Sequence, residues 1–161
     1  SEGADAIILH ARTRTQMFGG RIHYEALAEM ASRATIPFIG NGDVCDYDSY
    51  KRMKETGVDG VMIGRAMMNA PWIFQAIREQ KDPQSFLSPL QKYDLLMKLL
   101  DYSKEHAAND TNKLGHYMNI LRKQAVWFSK GLPDAAQFRV EVFKDQNPER
   151  FIKAFDFFKN L

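Results

Sequence analysis

Residues 37–43, Pro37-Phe38-Ile39-Gly40-Asn41-Gly42-Asp43, decide how this chain is read. A short apolar run between a proline and a polar, glycine-bearing turn has the pattern of a parallel strand buried on both faces. A second run of this kind, Gly60-Val61-Met62-Ile63-Gly64-Arg65, lies further along, and Asp46 to Thr56 between them has helical composition with a polar opening that can cap it. Together they predict a βαβ unit. Upstream, Ala6-Ile7-Ile8-Leu9-His10 is a third apolar run, and Tyr24 to Ala34 supplies the next helix, with Leu27, Met30 and Ala31 at helical spacing. Three strand-then-helix units thus follow one another, each with polar residues just past the strand's C-terminal end. Parallel α/β folds bind their ligands at that edge.

With 161 residues, 45% of them hydrophobic, the chain has the composition of an ordinary soluble globular protein of one domain or two small ones. Its net charge of +2 is unevenly placed: residues 1–80 carry nine Lys/Arg against ten Asp/Glu, residues 88–161 twelve against nine. The basic excess therefore lies in the C-terminal half. Cys45 is the sole cysteine, which excludes an intrachain disulfide and a Cys-rich metal site and fits a reducing compartment. No apolar run approaches the roughly twenty residues of a membrane span, and the N-terminus lacks a charged-then-apolar leader. A cytoplasmic protein with no membrane partner and no metal is expected. Ser1-Glu2-Gly3-Ala4-Asp5 runs into the first strand with Gly3 placed like the stop of a preceding helix, so the chain is expected to start inside a domain. Three apolar parallel strands would otherwise leave an open edge, and their partners are expected upstream.

Past Arg65 the pattern changes. Ala66 to Ala70 is short and Met-rich, and Pro71 then opens a helix whose apolar face is Trp72, Ile73, Phe74, Ala76 and Ile77, ending near Lys81-Asp82-Pro83. Ser88-Pro89 reads as the cap and first residue of a long amphipathic helix through Leu95, Leu96, Leu99, Leu100 and Tyr102. Another helix is expected from about Thr111 to Lys130, stopped by Gly131 and Pro133, and a third after Asp134. Asn147-Pro148-Glu149 opens a last helix with Phe151, Ile152, Phe155 and Phe158 on one face. The expected fold is α/β plus all-α: an α/β part over residues 1–82, a linker at 83–87, and a helical domain over 88–161, a bundle of four helices because the connections are short.

The strand ends carry the chemistry. His10 is followed by Ala11-Arg12-Thr13-Arg14 and then by Thr15-Gln16-Met17-Phe18-Gly19-Gly20, a loop too polar and long for a plain connection. A histidine there is either a hydrogen-bonded structural residue or one that turns a ring nitrogen to a bound heteroaromatic or anion. Asn41-Gly42-Asp43 is either an ordinary turn or a glycine-relaxed nest of backbone N–H groups suited to phosphate. Gly64-Arg65 pairs close backbone approach with a guanidinium able to grip phosphate bidentately. The two adjacent loops occupy the places that form the phosphate site of many (β/α)8 barrels, after strands seven and eight. Cys45, just beyond, reads as a small buried residue in preference to a nucleophile.

These residues carry a resemblance. Ile7-Ile8-Leu9-His10-Ala11-Arg12-Thr13-Arg14, Pro37 to Asp43 and Val61-Met62-Ile63-Gly64-Arg65-Ala66, closing with Pro71-Trp72-Ile73-Phe74, resemble the last three strands of a tRNA-dihydrouridine synthase. Leu121-Arg122-Lys123-Gln124-Ala125-Val126-Trp127-Phe128-Ser129-Lys130-Gly131-Leu132-Pro133 resembles the family's Arg-Lys-His segment ending in Trp-Tyr-x-Lys-Gly, with Gln124 in place of the usual His and Phe128 of the usual Tyr. The resemblance implies a partial (β/α)8 TIM barrel of three C-terminal βα units followed by a helical tRNA-binding domain. It implies an FMN enzyme that uses NADPH to reduce the C5–C6 bond of uridines in tRNA. His10 would lie on the flavin side of the site. Asn41, Gly42, Asp43, Gly64 and Arg65 would hold the FMN phosphate, and Arg122, Lys123 and Lys130, seven or eight residues apart, would share a helix face against RNA.

The family's general-acid cysteine and its lysine near the flavin match nothing in this chain. No catalytic residue is therefore expected here, and Cys45 belongs to the phosphate-loop context. Such a chain would be a C-terminal portion, inactive by itself. Its partners would be tRNA and either the first half of the barrel or a second copy covering the strands. A dihydroorotate dehydrogenase-like flavin barrel would share the phosphate loops without the basic helical tail. A non-catalytic RNA-binding module would keep the tail with no reason to keep His10, Asn41 and Arg65 at strand ends.

Overall fold

The structure, a computed structural model, describes residues 3–16, 19–107, 110–144 and 147–161. The reading of Ser1-Glu2 and the middle of the 15–20 loop, Met17-Phe18, lie outside the described residues, as do the side chains of Pro148 and Glu149 in the last start signal. The chain divides into two compact units, residues 1–83 and 84–161. No helix of the described residues is long and apolar enough to cross a membrane.

In the first unit three parallel strands, β1 (Ile7–His10), β2 (Phe38–Asn41) and β3 (Gly60–Met62), form one sheet in the order β1-β2-β3. The register pairs His10 with Asn41 and Asn41 with Met62, so the three C-terminal ends lie side by side. Helix α1 (Tyr24–Arg33) joins the first two strands and α2 (Tyr47–Lys54) the last two. A capping box starts α2: Asp46 accepts from the Ser49 backbone N–H at 2.8 Å while the Ser49 hydroxyl accepts from the Asp46 N–H at 3.1 Å. Two short helices follow, α3 (Arg65–Asn69) and α4 (Ile73–Arg78), the latter starting two residues after Pro71 and ending before the expected Lys81.

Alternation puts Leu9, Phe38 and Gly40 on one face of the sheet and Ile8, His10, Ile39 and Asn41 on the other. The first face is the core. Phe38 lies there with Leu27 of α1, Met53 of α2, and Ile73 and Ile77 of α4. A Cβ on Gly40 would stand 2.6 Å from the Met53 sulfur, so glycine lets α2 close on the strand. The second face is open, with Ile8 56% and Met62 47% exposed. The expectation of strands buried on both faces is corrected accordingly. An unbroken apolar run records which faces are suited to burial, and in this chain helices cover only one of them.

In the second unit α5 (Pro89–Ala107) opens on another capping box, with Ser88 and Gln91 exchanging backbone-to-side-chain bonds of 2.9 and 3.2 Å. It buries Lys92, Leu96, Leu100, Ser103 and Ala107 at three- and four-residue steps, leaving Tyr102 exposed and stacked on His106. Helix α6 (Thr111–Phe128) is capped by Asp110 and buries Met118, Leu121, Arg122, Ala125 and Phe128. After Gly131, at φ +81°, come α7 (Ala135–Lys144) and α8 (Pro148–Lys153). The last helix expected from spacing is six residues long and tightens into a 3-10 segment, Ala154–Lys159. Phe151, Phe155 and Phe158 remain buried through that change, since either winding keeps them inward.

Candidate functional site

The C-terminal edge of the sheet gathers the polar residues singled out at the strand ends. On the open face the Asn41 amide donates through Nδ2 to the Met62 carbonyl at 2.8 Å, which leaves Oδ1 turned to His10 Nδ1 at 2.7 Å. A carbonyl only accepts, so the amide orientation is fixed and Nδ1 of His10 must carry the proton. In the neutral ring Nε2 is then an acceptor. His10 is thus hydrogen-bonded through Nδ1, the first of the two alternatives.

The loops past the strands meet on one carboxylate. Arg12 forks onto Asp43, Nη1 donating to Oδ1 at 2.9 Å and Nη2 to Oδ2, while its Nε and Nη2 also donate to the Gly20 carbonyl at 3.2 and 2.8 Å. Arg65 Nη2 donates to Oδ1 of the same carboxylate at 2.6 Å. Hydrogen bonding from Arg12 chiefly, with both arginine charges, holds the Asp43 carboxyl below the usual carboxylate range, and the bond to Asp43 raises the Arg12 guanidinium. The Arg12 side chain is 3% exposed and that of Arg65 55%. One arginine is therefore internal scaffolding and the other faces outward.

The backbone between Asn41 and Asp43 needs its glycine. Gly42 sits at φ +151°, and a Cβ there would stand 2.5 Å from Ile22 Cδ1. Asp43 is itself left-handed at φ +48°, a conformation Asp tolerates. Around Gly64 the situation is opposite: a Cβ would meet nothing within 4 Å. The space beside Arg65 is open at that position.

Sequence reasoning singled out Asn41, Gly42, Asp43, Gly64 and Arg65, and the structure brings Asp43 and Arg65 into contact and Asn41 to His10. It did not assign Arg12, whose signal was a cation just past the end of β1, as Arg65 is just past the end of β3. Cys45 is exposed and not the buried residue expected. Desolvation of the sulfur first, and then the Asp46 charge, push its thiol up, against thiolate chemistry.

The expected RNA face comes apart. Arg122 is 5% exposed and places its guanidinium 4.3 Å from the centre of the Phe151 ring. Lys123 is exposed on α6, and Lys130 is exposed beyond the helix end. Neighbours in a helix point about 100° apart, so Arg122 turns inward where Lys123 turns outward.

The family model described as dihydrouridine synthase (Dus) matches residues 1–160. This chain belongs to the dihydrouridine synthase family. It is 30% identical over 152 residues to a probable tRNA-dihydrouridine synthase of Aquifex aeolicus, covering 94% of this chain and 46% of that protein. It is 33% identical over 151 residues to tRNA-dihydrouridine synthase B of Xanthomonas campestris, covering 91% and 44%. With tRNA-dihydrouridine synthase B of Pectobacterium carotovorum the identity is 32% over 138 residues, covering 85% and 42%. The chain spans less than half the length of these curated relatives. Because the dihydrouridine synthase match runs through both units, the helical residues belong to the family as fully as the strands do.

Proposed function

We propose that the chain is the cofactor-phosphate and RNA-gripping portion of a cytoplasmic tRNA-dihydrouridine synthase, an enzyme that reduces uridine in tRNA to 5,6-dihydrouridine. The observation that carries this reading is the outward guanidinium of Arg65, held by Asp43 beside the open space at Gly64. That arrangement fits a terminal phosphate, since a guanidinium presents a fork of donors and glycine lets the backbone approach. The phosphate of flavin mononucleotide would be held by Gly42, Gly64 and Arg65. When bound and reduced by NADPH, that flavin supplies the hydride for the uridine C5–C6 bond. Asn41 fixes the His10 tautomer, so that Nε2 can accept a hydrogen bond on the flavin side of the site. In the helical unit Lys123 and Lys130 contact tRNA phosphates, and Arg122 keeps the helix packed beneath them.

The open sheet face bearing Ile8, Ile39 and Met62 is covered in this reading by the remaining strands of a (β/α)8 barrel, within the part of the relatives that the chain does not span. No catalytic residue is assigned to residues 1–161, which alone should be inactive and nearly colourless. The test is to express the full-length protein and the 161-residue chain side by side. The full-length protein should carry flavin and form dihydrouridine in unmodified tRNA with NADPH, and the chain should do neither. A stoichiometric flavin band on the chain alone would sink the proposal that the pocket needs the missing strands. Sedimentation over a concentration series reads the open face: self-association of the chain, absent in the full-length protein, is expected, and a chain that stays monomeric counts against it.

A further inference from the structure

We infer that the Asp43 side chain is a positioning group, which acts on the cofactor phosphate only through Arg65 and never as a ligand of the phosphate. The inference rests on the phosphate-site reading above and assigns one residue of it a different role. An ionised carboxylate is acceptor-only, and so is a phosphate oxygen, so the Asp43 side chain has no hydrogen bond to offer that group. Both of its oxygens are already taken: Oδ2 by Arg12, and Oδ1 by Arg12 at 2.9 Å and Arg65 at 2.6 Å.

The carboxylate instead joins three loops. Arg12 reaches back to the Gly20 carbonyl at 2.8 Å in the loop after β1, Asp43 itself sits in the loop after β2, and Arg65 follows β3. Arg12, internal and 3% exposed, anchors both carboxylate oxygens, and Arg65 is held on Oδ1, which the two arginines share. A long side chain free to rotate would lose rotamer entropy on gripping a phosphate, and Asp43 meets that cost during folding. The left-handed backbone at Asp43 and the glycine before it hold the carboxylate in this place.

This role and a bare electrostatic one predict opposite signs. Asp43→Asn removes a negative charge near the phosphate, so charge alone would tighten binding, whereas loss of the Arg65 anchor weakens it. In the full-length protein the dissociation constants of FMN and of riboflavin, which lacks the phosphate, should be measured by flavin fluorescence for the parent and for Asp43→Asn. The expected result is FMN weakened about tenfold, the scale of a lost charge-assisted contact, with riboflavin unchanged. The same substitution in an Arg65→Ala background should have little further effect on FMN.

Asp43→Asn leaves Arg12 without its carboxylate partner and can fail to fold. Asp43→Glu keeps the charge but moves the carboxylate by one methylene. It should also weaken FMN and spare riboflavin. FMN binding unchanged or tightened in a folded variant overturns the inference. Equal losses for FMN and riboflavin overturn it too, because they mean a general loosening of the loops. A parent protein that binds riboflavin as tightly as FMN overturns the phosphate-site reading itself, a different failure.

Discussion

The two units of this protein each bury an arginine, and they do so in different ways. In the first, Arg12 is buried against a carboxylate that also holds Arg65, so burial of one cation fixes another at the surface. In the second, Arg122 is buried over a phenyl ring, and the nearest exposed cation in sequence, Lys123, points away from it. A salt-bridge hub transmits position to its partners because hydrogen bonds are directional, whereas the cation–π contact fastens α6 to α8 and does not orient the next side chain. The strand-end site is thus pre-organised, and the helical surface offers separate solvated lysines.

The largest effect that sharpens this contrast is expected inside the helical unit. Arg122→Ala removes the buried cation–π contact and the packing of its stem, and should lower the stability of residues 84–161 by about 2–3 kcal/mol. Arg122→Lys should recover little, since ammonium is more strongly hydrated and does not stack. Denaturant unfolding measures both, with the salt dependence of tRNA binding by the folded variant as control. A flattened salt slope with unchanged stability would return Arg122 to the RNA face and break the comparison.

Next in size is Arg65→Ala in the full-length protein. A charge-assisted phosphate contact is worth about 1.5–3 kcal/mol, so FMN should dissociate more readily by one to two orders of magnitude, with stability scarcely changed. Arg12→Ala, by contrast, should lower both flavin affinity and thermal stability, because it removes the anchor as well. Equal behaviour of the two variants would mean that the hub does not divide into an inner and an outer arginine.

The sequence told much about the first unit and less about the second, for a physical reason. Strand ends are set by short apolar runs and turns, and polar residues just past them can only converge, so Asn41, Asp43 and Arg65 were legible from position alone. Which face of a run stays open was not, because Ile8 and Met62 look no different from Phe38 when written in a line. In the helical unit, spacing correctly placed Leu96, Leu100 and Phe155 inward. It misplaced Arg122, because a basic residue among apolar ones reads as surface unless an aromatic partner is known. Phe151 is 29 positions away, and its approach is tertiary. Arg12 was missed for a smaller reason: its carboxylate partner Asp43 comes from another loop, the one after β2, 31 positions away.

The third effect concerns the lysines. Lys123→Ala and Lys130→Ala should each lower tRNA affinity of the full-length protein only a few-fold at moderate salt. Each should flatten the logarithmic dependence of affinity on salt by about one unit, one released counterion per phosphate contact. The two should add, as independent solvated charges do. Strong non-additivity in titrations at several salt concentrations would show that these lysines act as an organised cluster, and the contrast with the Asp43 hub would fail.

The smallest effect tests the hub by pH. The folded Asp43 carboxyl is held below its usual range, chiefly by the bond from Arg12. An acid whose pKa is lowered on folding stabilises the fold above its unfolded value and loses that contribution as pH falls through the folded one. The contribution should therefore be complete above about pH 5 and fade through and below pH 4, where the unfolded carboxyl titrates. Because the side chain is 41% exposed, solvent screening keeps it to about 1 kcal/mol or less. Unfolding of the full-length protein between pH 3 and pH 6, compared with Asp43→Asn, should show the gap between the two narrowing toward low pH, since protonation does to the parent what the substitution does permanently. The Asn variant keeps the shape of the side chain and turns one acceptor oxygen into a donor, as protonation also does. A gap that stays constant across this range would mean that Asp43 holds the arginines by geometry without charge, and the hub would then owe its order to the left-handed turn at Gly42-Asp43.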